Sequence, residues 1–158
     1  VIRKKTAALF AACTEAAAYS VGVSEEEVKL ARLLGEYIGI CFQIKDDIFD
    51  YFDSKEIGKP TGNDMLEGKL TLPVLYALNR ANDNQATEIA LKVKEGTATL
   101  AEIARLIAFT KENGGIEYAV RTMNAYKQKA FGLLASLPDS AICVALRSYL
   151  DYVVDREK

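Results

Sequence analysis

Three acidic residues near the end of a predicted helix, Asp46, Asp47 and Asp50, are the side chains of this sequence whose type and spacing could do chemistry. At about 100° per residue, Gln43, Asp46 and Asp50 project from one side of a helix. Like charges one turn apart repel each other, so helix stability alone does not favour this arrangement. A divalent cation between the carboxylates would offset the repulsion, and ligation by oxygen alone suits Mg²⁺. A solvated helix end with three surface acids is the alternative that the spacing leaves open.

A polar segment directly after the acidic residues brings lysines close to them in sequence. Residues 53–64 contain two glycines and a proline, which disfavour a regular helix, and they include Lys59 and Asp64. Lys69 follows five residues after Asp64. Mg²⁺ is usually held by one or two carboxylates plus substrate phosphates, and lysine binds phosphate as a compact point charge. The combination indicates a diphosphate site, with a solvated loop of ordinary lysines as the alternative.

The start of the chain adds a further cation and a hydroxyl group. Lys5 and Thr6 precede an alanine-rich segment, and alanine both favours helix and allows neighbouring helices to approach closely. If this first helix packs against the acidic one, Lys5 and Thr6 could join the same site. An apolar interior beneath a metal–diphosphate site would suit a substrate with a polar head and an apolar tail.

Composition excludes several classes of function. The net charge is -2, which gives no electrostatic basis for binding nucleic acid. The absence of histidine removes histidine-dependent nucleophilic catalysis and the common zinc motifs. No apolar run is long enough for a membrane span. The odd count of separated cysteines (Cys13, Cys41 and Cys143) predicts buried thiols in a reducing compartment, which we take to be the cytoplasm.

Apolar residues recur with the helical period along the whole chain, so we predict an all-α fold, a helical bundle forming one domain over residues 1–158. Ser24 is the predicted N-cap of the acidic helix, with Glu27 at the capping-box position. The later helices are predicted to be scaffold. The predicted helices cover about 2–20, 25–52, 74–79, a segment ending near 95, 99 or 100 to 112, 116–137 and 140–155.

The stretch Phe42–Asp50 has the form FQxxDDxxD and closely resembles the second aspartate-rich motif of the trans-isoprenyl (polyprenyl) diphosphate synthases. The resemblance extends through most of the chain in matching order. FQxxDDxxD followed by a GK…D…K segment is a specific signal, whereas the shorter matches would be weak alone. These further matches are Lys5-Thr6-Ala7, Gly58-Lys59 with Asp64, Gly68–Pro73 and Gly114–Ala119.

The resemblance implies the C-terminal portion of the isoprenoid synthase fold and a Mg²⁺-dependent prenyltransferase. Such an enzyme condenses isopentenyl diphosphate with an allylic diphosphate through an allylic cation and makes linear polyprenyl diphosphates. Metals and lysines would stabilise the charge that develops on the leaving diphosphate. A dry apolar cavity would protect the cation from water. The family also implies a homodimer.

Carried over by position, the resemblance assigns a role to each candidate residue. Asp46 is the expected principal Mg²⁺ ligand, and Asp47 and Asp50 are expected to bind metal directly or through water. Thr6 and Gln43 are expected to face the reacting carbons. Asp64 is expected to orient Lys59 or a metal-bound water. The lysines expected to hold the allylic diphosphate are Lys5, Lys59 and Lys69.

One departure from the family pattern concerns the first aspartate-rich motif, which should precede Lys5 together with a pair of arginines. No second DDxxD and no Arg-Arg pair occur in this sequence. Because Val1 also enters a helical pattern without a capping residue, we expect a C-terminal half of a longer synthase that is inactive alone. The residues that set product length and primer choice in this family lie near the missing motif.

Two alternatives differ in function while keeping the fold. A non-catalytic subunit or structural helical domain would bind no substrate, although the intact acidic motif disfavours this interpretation. A class I terpene cyclase is disfavoured because cyclases usually carry a different second metal motif.

Overall fold

Helices make up nearly all regular structure in the computed structural model, which describes residues 2–52, 61–138 and 140–157. This confirms the all-α prediction, and most predicted helix ends agree within about two residues, the usual uncertainty of such boundaries. A π-helical turn, Arg3–Ala7, precedes the first α-helix. The α-helices are α1 (Ala8–Ser20), α2 (Glu25–Phe49), α3 (Asn63–Leu66), α4 (Leu72–Ala81), α5 (Asn84–Glu95), α6 (Leu100–Glu112), α7 (Gly115–Ala135) and α8 (Ala141–Asp155).

Helix α2 begins as predicted but ends earlier than predicted. The Glu27 carboxylate accepts the backbone N–H of Ser24 at 2.9 Å, and the Ser24 hydroxyl accepts the backbone N–H of Glu27 at 3.3 Å, so the predicted capping box is present. The helix ends at Phe49, not at Phe52. Asp50 therefore lies one residue beyond the helix, where its carboxylate can turn toward a later part of the chain.

The described residues divide into two compact units, Val1–Lys45 with Thr122–Lys158, and Asp46–Arg121. In the first unit, α1 and α2 approach each other closely at Gly35 and Gly39. A Cβ atom on Gly39 would lie 2.7 Å from the Cα of Ala7. Any larger side chain at this position would push the helices apart, which explains two residues that are otherwise unfavourable within a helix.

Two of the three cysteines are buried in the first unit, but the third is not. Cys41 and Cys143 are buried, whereas Cys13 is exposed on α1, so the prediction of a buried thiol was wrong there. Burial raises the pKa of the Cys41 thiol to about 12, and its Sγ lies 3.5 Å from the carbonyl oxygen of Met123. Helix α1 is apolar around most of its circumference, so apolarity did not indicate which face is covered.

The second unit has an apolar core formed by α3, α4, α5 and α6, with Tyr51 fully buried within it. Gly115 begins α7 at a point of close backbone contact, because a Cβ there would lie 2.5 Å from the carbonyl oxygen of Pro73. The one-turn helix α3 was not predicted. The other buried core residues are Met65, Val74, Ala86, Ile89, Ala90, Val93, Ile103, Leu106 and Ile107.

Within the described ranges, no helix combines the length and apolarity that crossing a membrane requires. The prediction of a single domain over the whole chain stays a prediction.

Candidate active site

The first group of candidate residues is Thr6 and Gln43, whose side chains meet where the π-helical turn contacts α2. The Thr6 hydroxyl donates to Oε1 of Gln43 at 2.5 Å, and both residues are partly buried. The close approach at Gly39, one turn before Gln43, brings these side chains within reach. Lys5 is adjacent and exposed. Turns of π-helix are frequent at functional sites, and this one contains both Lys5 and Thr6.

The end of α8 contacts α2 beside Gln43, a feature that sequence reasoning missed. The guanidinium carbon of Arg156 lies 4.4 Å from the ring centroid of Phe42, and its Nη2 donates to the Phe42 carbonyl oxygen at 3.4 Å. Burial lowers the pKa of Lys45, and the nearby positive charge of Arg156 acts in the same direction. A contact between residues 114 positions apart leaves no periodic signal in the sequence.

The second group contains the acidic residues at the end of α2. Asp46 is partly buried, whereas Asp47 is only 3% exposed. A helix C-terminus carries partial negative charge, so it stabilises cations and disfavours carboxylates. The helix dipole therefore disfavours the two carboxylates in the last turn of α2, and a bound cation would offset that effect.

Asp50 is bound to the start of α3 by three backbone groups. Its carbonyl oxygen accepts the N–H of Gly62 at 2.9 Å. Its two carboxylate oxygens accept the N–H groups of Asn63 at 2.9 Å and of Asp64 at 3.1 Å. Burial raises the pKa of the Asp50 carboxyl, and the hydrogen bonds from these two amides partly offset that rise. Sequence reasoning placed Asp50 in the acidic motif but not in these contacts.

Asp64 and Lys69 lie together in the segment that follows. Lys69 Nζ is 3.7 Å from Oδ1 of Asp64, and it also pairs closely with Glu67. The hydrogen bond from Lys69 to Glu67 is the main cause that raises the pKa of the Lys69 ammonium, so this group is cationic at neutral pH. Lys59, which was predicted to approach Asp64, lies outside the described residues. The structure thus brings Asp50, Asp64 and Lys69 into one connected group.

The donor chemistry of the acidic residues fits a hard divalent cation that other ligands help to hold. In the part of the chain that the structure describes, no group of three or more acidic or cysteine side chains is placed so that it could hold a metal ion. Mg²⁺ does not require one, because it commonly keeps one or two carboxylates and completes its octahedron with phosphate oxygens and water. Two carboxylates, those of Asp46 and Asp47, lie in the last turn of α2, and two is a number that such a partial set can use.

The chain belongs to the polyprenyl synthetase family, whose model matches residues 1–110. The all-helical fold and the acidic motif of α2 agree with membership of this family.

Individual relatives carry the similarity over essentially the whole chain. Heptaprenyl diphosphate synthase component 2 of Geobacillus stearothermophilus is 37% identical over 99% of this chain and 48% of its own length. The solved structure of geranylgeranyl pyrophosphate synthase from Bacteroides thetaiotaomicron has a TM-score of 0.94 and 79% identity, covering 98% of this chain and 51% of that one. The chain therefore spans about half the length of the relatives it matches.

A third comparison bears on ligands. The polyprenyl synthase from Caulobacter crescentus CB15 has a TM-score of 0.86 at 33% identity, covering 99% of this chain and 48% of that one. That protein was solved in complex with calcium and isoprenyl diphosphate.

Proposed function

We propose that this chain is the C-terminal half of a chain-elongating prenyl diphosphate synthase and supplies the second aspartate-rich wall of its active site. The FQxxDDxxD stretch Phe42–Asp50 at the end of α2, in a chain that belongs to the polyprenyl synthetase family, is the observation that carries this proposal. The substrates would be isopentenyl diphosphate and an allylic prenyl diphosphate.

The acidic end of α2 would hold Mg²⁺ together with the diphosphate of the allylic substrate. Asp46 and Asp47 are the proposed ligands, with Asp50 as the third candidate of the motif. When bound, Mg²⁺ would neutralise the charge that develops on the departing diphosphate. Calcium with isoprenyl diphosphate in the Caulobacter crescentus relative supports a divalent cation paired with this substrate class.

The lysines would bind the diphosphate itself. Lys69 is cationic and exposed enough to exchange its present carboxylate partners for phosphate oxygens. Lys5 and Lys59 are proposed to join it. The positive charges of these lysines would stay beside the diphosphate as the allylic carbon–oxygen bond breaks. Both bonding electrons would leave on the diphosphate oxygen.

Thr6 and Gln43 would serve the carbon side of the reaction. Breaking the carbon–oxygen bond leaves an allylic cation, and the isopentenyl double bond then donates two electrons to form the new carbon–carbon bond. Oxygen dipoles held by the Thr6–Gln43 hydrogen bond can stabilise positive charge. Since the sequence has no histidine, we propose that the departing diphosphate accepts the final proton.

A condensation assay tests this proposal. The chain would be joined to the part of the Bacteroides thetaiotaomicron synthase that it does not cover, and supplied with labelled isopentenyl diphosphate, an allylic primer and Mg²⁺. We expect linear prenyl diphosphates from the fusion, their loss on adding a chelator, and no product from this chain alone. Failure of the fusion to extend any allylic primer, with the intact relative active beside it, would contradict the proposal.

Assembly and location remain proposals as well. We propose a homodimer of the full-length protein in the cytoplasm. Light scattering of the full-length protein would give the mass of the assembly, and a mass of one chain would contradict the dimer.

A further inference from the structure

The start of α3 lacks the local side chain that usually caps a helix. The first backbone N–H groups of a helix have no partner within it, and Ser, Thr, Asp or Asn at the N-cap normally accepts one of them. The N-cap of α3 is Gly62, which has no side chain to offer. The carboxylate of Asp50 takes this role from 13 to 14 residues earlier in the chain, accepting the N–H groups of Asn63 and Asp64.

The segment that Asp50 caps leads directly to Lys69. The backbone N–H of Lys69 donates to the carbonyl oxygen of Asp64 at 2.7 Å, closing the turn that follows α3. The φ of Gly68 is 74°, a backbone conformation that residues with side chains rarely adopt, and the chain turns back at this point. Met65, between them, is buried. The backbone of Asp64 therefore determines where the Lys69 side chain begins.

Both carboxylate oxygens of Asp50 are already committed to backbone donors. A hydrogen bond from a backbone amide to a carboxylate is charge-assisted and stronger than one between neutral groups. Direct ligation of a cation would place a positive ion beside two N–H groups that point toward the same oxygens. Asp46 and Asp47 lie within the last turn of α2, and their backbones are held by that helix.

We propose that Asp50 is a positioning residue: its carboxylate holds the start of α3 and, through the backbone of Asp64, holds Lys69 in place to receive the diphosphate. This inference rests on the proposed function only for the role of Lys69 in binding the diphosphate. The cation is then held by Asp46 and Asp47, while Asp50 organises the partner segment.

Amide hydrogen exchange, resolved to single residues in the full-length protein, tests the positioning contact. In Asp50→Ala, exchange at Asn63, Asp64 and Lys69 should accelerate about tenfold or more, since a hydrogen bond to a charged group is lost. In Asp50→Asn only the carboxamide oxygen can accept, so one of the Asn63 and Asp64 amides should keep its protection. Asp46→Ala is the matched control and should leave all three amides unchanged. If Asp50→Ala fails to fold, Asp50→Asn decides the question.

Titration with inorganic diphosphate, in the presence and absence of Mg²⁺, supplies the functional measurement. We expect Asp50→Ala to weaken diphosphate binding about tenfold and Asp50→Asn to weaken it less, because part of the cap survives. Equal and complete loss of Mg²⁺-dependent binding in both variants, with wild-type exchange at Asn63 and Asp64, would overturn the proposal in favour of direct ligation. If the wild-type protein binds no diphosphate, the proposed function fails while the exchange result still decides the role of Asp50.

Discussion

The Thr6–Gln43 pair of the first unit and the Asp50 group of the second unit are held in place by different physical means. Thr6 and Gln43 meet because two helices pack without side chains between them at Gly39. Asp50 meets the start of α3 because a carboxylate replaces a missing cap. The first contact depends on shape, and the second depends on charge and hydrogen bonding, so substitutions should affect them differently.

The largest expected difference lies within the acidic motif. Asp46→Ala should reduce turnover of the full-length enzyme about a hundredfold or more, because a metal ligand contributes several kcal/mol to transition-state stabilisation. Asp50→Ala should cost about tenfold, since it removes a positioning contact. Steady-state rates of prenyl product formation check both variants. Equal losses would show that the two carboxylates play the same role.

The packing contact can be tested at the glycine that permits it. Gly39→Ala should lower the free energy of unfolding by about 2 kcal/mol, because its Cβ would lie 2.7 Å from the Cα of Ala7. Gly132→Ala in α7 is the matched control: apart from its chain neighbours and its own helix backbone, no atom of the described residues lies within 4 Å of its Cβ position. That substitution should stabilise the protein by up to about 1 kcal/mol through helix propensity alone. Urea unfolding compares the two, and stabilisation by both would contradict the close packing.

A smaller effect is expected at the hydroxyl group of Thr6. Thr6→Val keeps the shape of the side chain but removes the donor to Gln43, and should cost about 1 kcal/mol of stability. Thr6→Ser retains the hydroxyl and should fall between Thr6→Val and the wild-type protein. Urea unfolding measures the stabilities. No difference between the valine and serine variants would mean that the hydrogen bond contributes nothing.

The smallest expected effect concerns Glu102, which we compare with Asp50. The Glu102 carboxylate accepts hydrogen bonds from both backbone and side-chain donors. Glu102 completes the capping box of α6, in which it accepts the backbone N–H of Thr99 at 2.8 Å, and it also accepts Lys92 Nζ at 2.8 Å. The Lys92 hydrogen bond, followed by those from Thr99, lowers the pKa of Glu102 from 4.5 to about 2. For Asp50, the effect of burial is larger than that of the backbone hydrogen bonds it accepts, so the pKa of its carboxyl is raised.

The sign of the resulting pH dependence follows from the lowered pKa. The Glu102 contacts stabilise the folded protein fully above pH 4.5, and that contribution is lost as the pH falls toward about 2. Urea unfolding at pH 7 and near pH 2 should show a stability difference between wild type and Glu102→Gln that shrinks at the lower pH. A difference that grows on acidification would contradict the lowered pKa.

Local signals in the sequence predicted most helices and the candidate residues. The capping box of Ser24 and Glu27 and the helical period of α5 to α8 act within a few residues, so their outcome can be deduced from neighbouring positions. The FQxxDDxxD stretch identified the family for the same reason.

Contacts between distant residues could not be deduced in that way. The earlier end of α2 and the formation of α3 depend on Asp50 reaching Asn63 and Asp64, and a four-residue helix has no period of its own. The stacking of Arg156 on Phe42 joins two residues that are 114 positions apart in the chain. These contacts depend on the packed backbone, which the local pattern does not specify.

Calorimetric titration of the full-length protein with an allylic prenyl diphosphate tests the central claim most directly, because it reports binding at the acidic motif without requiring turnover. The account predicts binding that requires Mg²⁺ and weakens about a hundredfold in Asp46→Asn. Absence of binding would contradict it and favour a structural helical domain, and binding that is indifferent both to Mg²⁺ and to Asp46→Asn would contradict the metal site at the acidic motif.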